Sequence, residues 1–136
     1  MMHTTTSKQE AAKYLIDYLL DPIVVDELGE PILFRQNDVF GFYEGDLQSE
    51  PIQTKAFFCV SINDSAFLRY VYVNPVFRGQ GLFNVLIKSV EDLCLEAGCS
   101  CIKAVATQSA LPLYLAKGYK ITKSYVNYHK IQKDLI

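Results

Sequence analysis

The sequence is short of proline, glycine, net charge, histidine and long apolar runs, and each shortage removes a class of protein. Five prolines and seven glycines in 136 residues are too few for a collagenous or linker-like chain. A formal net charge of −2, with no run of Lys or Arg, makes a nucleic-acid partner unexpected. No apolar stretch approaches the roughly 18 residues of a membrane-spanning helix, so no membrane partner is expected. Met1–Thr6 has neither the basic start nor the apolar continuation of a secretory signal. His3 and His129 lie near opposite ends, and Cys99-Ser-Cys101 is not a ligand spacing, so no metal site is expected. Cys59, Cys94 and Cys101 sit inside apolar runs, where free thiols act as small hydrophobes. All four cysteines therefore read as reduced and buried, which implies the cytoplasm.

What is present is ordinary globular material, 50% hydrophobic and 21% charged, at a length that suits one domain over residues 1–136. Ser7 followed by Glu10 is a capping box, and Ala11, Tyr14, Leu15, Tyr18 and Leu19 recur at helical spacing until Asp21-Pro22. No strand is evident before this helix, and residues 23–30 read equally as strand or helical turn. Four strands in an antiparallel meander are expected next, at 32–36, 39–43, 56–60 and 67–73. Asn37-Asp38 forms the first turn, and a polar loop runs over 45–54. A helix over 81–97 ends at Gly98, and a strand follows over 101–106. A helix over 109–117 comes next, with Ser109 as N-cap and Pro112 in its first turn. Strands near 119–126 and 128–135 finish the chain. Their aromatic residues either pack the core or pair at a dimer edge, leaving monomer or homodimer open.

Charge is divided along the chain. Residues 1–74 hold eleven acids and five bases, and residues 75–136 hold four acids and eight bases. The division is either scatter or a sign that the C-terminal half holds an anion while the N-terminal half faces a cationic partner. The segment Val71-Tyr72-Val73-Asn74-Pro75-Val76-Phe77-Arg78-Gly79-Gln80-Gly81 gives the anion a place. A strand feeds a glycine-containing loop that opens into a long helix. There the backbone can approach a phosphate, the first helical N–H groups lack internal partners, and the helix dipole favours negative charge. The G-x-G-x-x-G dinucleotide fingerprint is absent, and no G-K-[ST] follows to make a Walker loop.

Arg78-Gly79-Gln80-Gly81-Leu82-Phe83 resembles the [RQ]-x-x-G-x-[GA] pyrophosphate loop of the GNAT superfamily of acyl-coenzyme A N-acyltransferases, with Phe83 in place of the last small residue. Thr107, Ala110, Leu113, Tyr114, Gly118 and Tyr119 likewise resemble that family's N-x-x-A-x-x-L-Y-x-x-x-G-[FY] segment, with Thr107 in place of Asn. The resemblance implies a mixed α/β fold with a mostly antiparallel sheet of six to seven strands flanked by helices. It also implies transfer of an acetyl or other acyl group from coenzyme A to a primary amine. The backbone of Val71, Tyr72 and Val73 would pair with the pantetheine arm and polarise the thioester carbonyl. Gly79, Gln80, Gly81, Leu82, Phe83 and Asn84 would donate to the pyrophosphate, Arg78 would reach a phosphate or brace the loop, and Thr107 would lie beside the donor. Tyr114 would protonate the departing thiolate. No general base is named, since Glu44 and Asp64 qualify only by lying at strand ends. The acidic N-terminal half suits a cationic small-molecule or protein acceptor. The alternative is a degenerate coenzyme A-binding sensor or interaction module, which would bind the donor without turnover.

Overall fold

The computed structural model describes residues 2–44 and 53–136. The chain runs β1 (Met2–Thr5), α1 (Lys8–Tyr14), α2 (Pro22–Leu28), β2 (Asp38–Glu44), β3 (Thr54–Ile62) and β4 (Ala66–Val73). A 3₁₀ turn (Pro75–Phe77) leads to α3 (Leu82–Glu96), β5 (Cys101–Thr107), α4 (Leu111–Leu115), β6 (Lys120–Ser124) and β7 (Tyr128–Asp134). One seven-stranded sheet has the order β1-β2-β3-β4-β5-β7-β6. Neighbours are antiparallel except β4 and β5, which α3 connects as a parallel crossover. The mixed, mostly antiparallel architecture is the expected one.

Strand alternation places different residues on the two faces. Phe40, Phe42, Phe57, Cys59, Tyr70 and Tyr72 point toward Ala11, Leu15, Tyr18 and Val24 of the N-terminal segment. Ala56, Phe58, Val60, Leu68, Ile102, Ala104 and Ala106 point toward Leu82, Leu86, Ile87 and Val90 of α3 and Tyr114 of α4. The first core is an aromatic stack, with Tyr14 on Phe42 at 4.9 Å and Phe57 on Tyr72 at 5.6 Å between centroids. Gly41 is required on the opposite face, because a Cβ would fall 2.0 Å from the Phe58 ring of the second core. All four cysteines are free and buried, and burial pushes the Cys94 thiol up to about 12. No helix among the described residues is long and apolar enough to cross a membrane.

The helices start and stop where the sequence marks them. Ser7 Oγ accepts from Glu10 N at 3.2 Å. The Ser7 N–H, which a reciprocal capping box would bond to Glu10, goes instead to Thr5 Oγ1. That frees the Glu10 carboxylate to bond His3 and Thr5 of β1. Asp21 caps α2 through Ile23 N, and Gly29 closes it at φ 84°. The ambiguous stretch 23–30 is therefore helical as far as Leu28. The helical spacing up to Leu19 continues past α1 only as turns.

Four expectations are corrected. A strand does precede α1: β1 pairs with β2 from Met2↔Tyr43 to Thr5↔Phe40. Its pattern was hidden because a four-residue edge strand of Met, His and Thr carries no alternation. Residues 32–36 are not a strand; side chains of β2 and β4 bond the backbone of Leu33 and Arg35 in place of a neighbouring strand. Arg69 Nη1 donates to Leu33 O, Leu33 N donates to Tyr70 Oη, and Arg35 N donates to Asp38 Oδ2. The meander is thus β1-β2-β3-β4, with β1 in place of 32–36. The helix expected over 109–117 is Leu111–Leu115, and Thr107 rather than Ser109 takes the Ala110 N–H. The strand expected over 119–126 is five residues long. The polar loop, from 45 to 52, lies outside the described residues.

Candidate active site

The sheet opens between its two parallel strands. β4 and β5 pair only at Ala66↔Ile102, Phe67↔Lys103 and Leu68↔Ala104. Beyond Leu68 the β4 backbone has no strand on that side, while β5 continues to Thr107 paired with β7 alone. A cavity of about 740 Å³ fills the gap, large enough for a small-molecule ligand. Leu68 to Val73 form one wall and Val105 to Thr107 the other. The start of α3 lies at one end, Leu113 and Tyr114 of α4 line another part, and Glu27 and Leu28 of α2 stand at the margin.

The loop into α3 turns on two glycines and leaves backbone donors beside the cavity. Asn74 fixes its entry by accepting from Val76 N at 3.0 Å and donating to Tyr18 Oη at 3.1 Å. Gly79 and Gly81 then take φ of +83° and +79°, a conformation other residues adopt only under strain. Neither Cα has a heavy atom within 4 Å of where a Cβ would sit, so the glycines serve the backbone turn rather than a packing contact. Gly81 is the N-cap of the fifteen-residue α3 and makes no side-chain capping bond. The first helical bond is from Val85 N to Gly81 O at 3.3 Å. Backbone N–H groups of Leu82, Phe83 and Asn84 are therefore left over beside the cavity, at the positive end of the helix dipole.

Arg78 braces this loop. Its Nε donates to Val73 O at 2.9 Å, its Nη2 bonds Glu27 Oε2 at 2.6 Å, and its guanidinium lies over the Tyr72 ring at 5.4 Å. Of the expected pantetheine-binding carbonyls, that of Val73 is thus already engaged.

Tyr114 is both a core residue and a cavity residue. It is buried, held edge-on by Phe83 at 5.2 Å and by Tyr119 at 5.4 Å. Phe83, the departure from the small-residue position, is therefore what packs the tyrosine in place. Burial alone raises the Tyr114 phenol above its ordinary value, so it stays protonated. Thr107 lines the cavity, but its hydroxyl is committed to the turn before α4, 3.3 Å from both Ala110 N and Ser109 Oγ.

Val71, Tyr72, Val73, Arg78, Gly79, Gly81, Leu82, Phe83, Asn84, Thr107 and Tyr114 all line this one cavity. Gln80 does not and is exposed. Neither Glu44 nor Asp64 lines it, whereas Glu27 does. The sequence held no signal for Glu27, because α2 was ambiguous and no motif reaches it. Among the described residues, no three metal-ligating side chains converge.

A family model described as the acetyltransferase (GNAT) family matches residues 5–119. Thialysine N-epsilon-acetyltransferase of Bos taurus is 36% identical over 55 residues, 38% of this chain and 32% of that protein. The chain thus spans about a third of the length of this curated relative. Among solved structures, an acetyltransferase of the GNAT family from Staphylococcus aureus superposes with a TM-score of 0.74 at 14% identity, covering all of both chains. The PaiA N-acetyltransferase of Thermoplasma acidophilum, solved in complex with coenzyme A, superposes at 0.71 with 12% identity over 98% of this chain and 99% of that one. At such identities the likeness is one of fold.

Proposed function

Since the chain belongs to the GNAT acetyltransferase family, we propose that it is an N-acetyltransferase that moves an acetyl group from acetyl-coenzyme A to a primary amine. The observation that carries this reading is the gap between β4 and β5, which joins the unfilled N–H groups at the start of α3 to the buried Tyr114 in one cavity. The donor, when bound, supplies an acyl group activated as a thioester. Leu82, Phe83 and Asn84 would donate to its pyrophosphate, as phosphates are held at other helix N-termini. Gly79 and Gly81 let the backbone curve toward it. The β4 edge from Arg69 to Val73 offers unladdered backbone to amide groups of the pantetheine arm, apart from the Val73 carbonyl. The shape and chemistry of this cavity fit the donor.

Tyr114 would serve the leaving group. The acceptor first gives up its ammonium proton to water. As the neutral amine nitrogen then bonds to the carbonyl carbon and the carbon–sulfur bond breaks, the sulfur takes a proton from Tyr114 Oη. The proton released by the nitrogen passes to water, from which the phenolate is reprotonated. Burial keeps the phenol protonated at neutral pH, so Oη carries the proton the leaving sulfur needs. The acceptor belongs on the side of α2, where acidic residues of the N-terminal half lie.

Tyr114→Phe is the direct test. Turnover is expected to fall by about 10²–10⁴, while calorimetry finds coenzyme A affinity within about twofold of wild type. Undiminished turnover removes Tyr114 from the chemistry. Tight coenzyme A binding by the wild-type chain with no turnover across a broad amine panel would instead establish a binding module.

A further inference from the structure

At the mouth of the cavity, α2 lays a carboxylate against the arginine of the phosphate loop. Glu27 is the one Asp or Glu among the described residues that lines the cavity. Its Oε2 accepts from Arg78 Nη2 at 2.6 Å, and the two side chains are 36% and 48% exposed. A pair so open to water is screened and contributes little to the folded state. It is therefore cheap to exchange. The transferase reading supplies two substrates of opposite charge, and each partner of the pair matches one of them. A guanidinium suits a pyrophosphate, and a carboxylate suits an alkylammonium. The Tyr72 ring beneath Arg78 adds an aromatic face that takes either cation.

We propose that Glu27 is the acceptor-binding carboxylate, recognising a primary alkylammonium, and that its pair with Arg78 is a placeholder exchanged for substrate contacts when donor and acceptor bind. This rests on the transferase reading above. While the site is empty, each charge neutralises the other. Donor binding draws Arg78 toward phosphate and leaves Glu27 free for the ammonium, and acceptor binding does the converse. The pair is broken once for both ligands, so each ligand raises the affinity for the other by the same factor.

The experiment is calorimetric titration of the full chain with coenzyme A, alone, with excess n-butylamine, and with excess n-butanol as a neutral isostere. Near pH 7 butylamine is an ammonium ion. Butylamine is expected to tighten coenzyme A binding by about threefold, within what one exposed ion pair can supply, and butanol to leave it unchanged. Glu27→Gln is expected to bind coenzyme A at least as tightly as wild type and to lose the amine effect. Asp26→Asn, exposed on the same helix and outside the cavity, is expected to keep it. Amine coupling that persists in Glu27→Gln, coupling that butanol reproduces, or a wild type that binds coenzyme A indifferently to amine overturns the inference. So does weaker coenzyme A binding by Glu27→Gln, which would make Glu27 only a brace for Arg78. A folded wild type that binds no coenzyme A overturns the transferase reading, and the inference falls with it.

Discussion

Residues 30–37 and 74–84 both carry the chain from one regular element to the next, and they use their backbone polar groups in opposite ways. In the first, the groups are consumed. Leu33 N and O, Arg35 N and O and the Asn37 carbonyl all find partners. The Tyr70 hydroxyl donates to Glu30 Oε1 at 2.9 Å, with the Pro31 carbonyl 3.2 Å away. In the second, the chain is held as far as Arg78 N, and from Gly79 to Asn84 the N–H groups have no protein acceptor among the described residues. Buried backbone groups are normally paired. The first loop is thus tied to the sheet through Leu33, Arg35 and Asn37 and acts as scaffold, while the second leaves a run of donors open at a helix start. The side chains agree: the first segment is fastened by the Arg69–Asp38 pair, 4% and 3% exposed, and the second by an exposed pair at Arg78.

Substitutions can break each half of that comparison separately. Asp38→Ala strips the scaffold segment of its central anchor and leaves the buried Arg69 without a counter-charge, with only the Leu33 carbonyl and the Tyr70 hydroxyl as oxygen partners. It is expected to cost about 3–5 kcal/mol, read by urea unfolding, with coenzyme A affinity of the folded fraction unchanged. Gly81→Glu does the opposite, placing a negative charge and a strained residue where the anion belongs. An affinity loss of about a hundredfold is expected, with stability reduced by only about 1–2 kcal/mol. If Asp38→Ala weakened coenzyme A binding as much as Gly81→Glu, the division of roles would fail. Tyr70→Phe removes the hydroxyl that serves Leu33 N, Arg69 and Glu30, and about 1–3 kcal/mol of stability should go with it.

The smallest effect is one of pH. Burial raises the phenols of Tyr114 and Tyr119. The folded chain then keeps protons that the unfolded chain releases near the ordinary phenol value of about 10. Their contribution to stability is fully present below that value and is lost as pH rises above it. The unfolding midpoint should therefore decline above about pH 10, and less so in Tyr114→Phe. An equal decline in both proteins would leave Tyr114 without a part in the alkaline loss.

The same contrast explains what could be read from the sequence. The turn into α3 was legible because glycines mark it: Gly79 and Gly81 both take positive φ there. The strands were legible where aromatic and β-branched residues cluster between turn signals, as in β3 and β4. The scaffold segment was misread as a strand because Ile32-Leu33-Phe34 carries strand-like residues. What decides its conformation is a set of side chains about 35 residues away, at Arg69 and Tyr70. β1 was missed for the converse reason, since its residues are strand-neutral and its pairing is set by β2. Glu27 was invisible because a lone acid on a short helix announces nothing until the fold carries it to Arg78. Phe83, a departure in the pattern, acquired its reason only when its ring met Tyr114.

The three residue pairs between β4 and β5 also make the sheet a nearly cut ribbon, with α3 packed across the cut as a strap. A molecule that hydrogen-bonds both lips of the gap would act as a removable cross-link, stiffening two half-sheets into one. Its concentration would then set the melting temperature of the whole chain, by mass action on the folded state. The amides of Val71 and Val73, which face away from β3, would be where slowed hydrogen exchange first registers the suture.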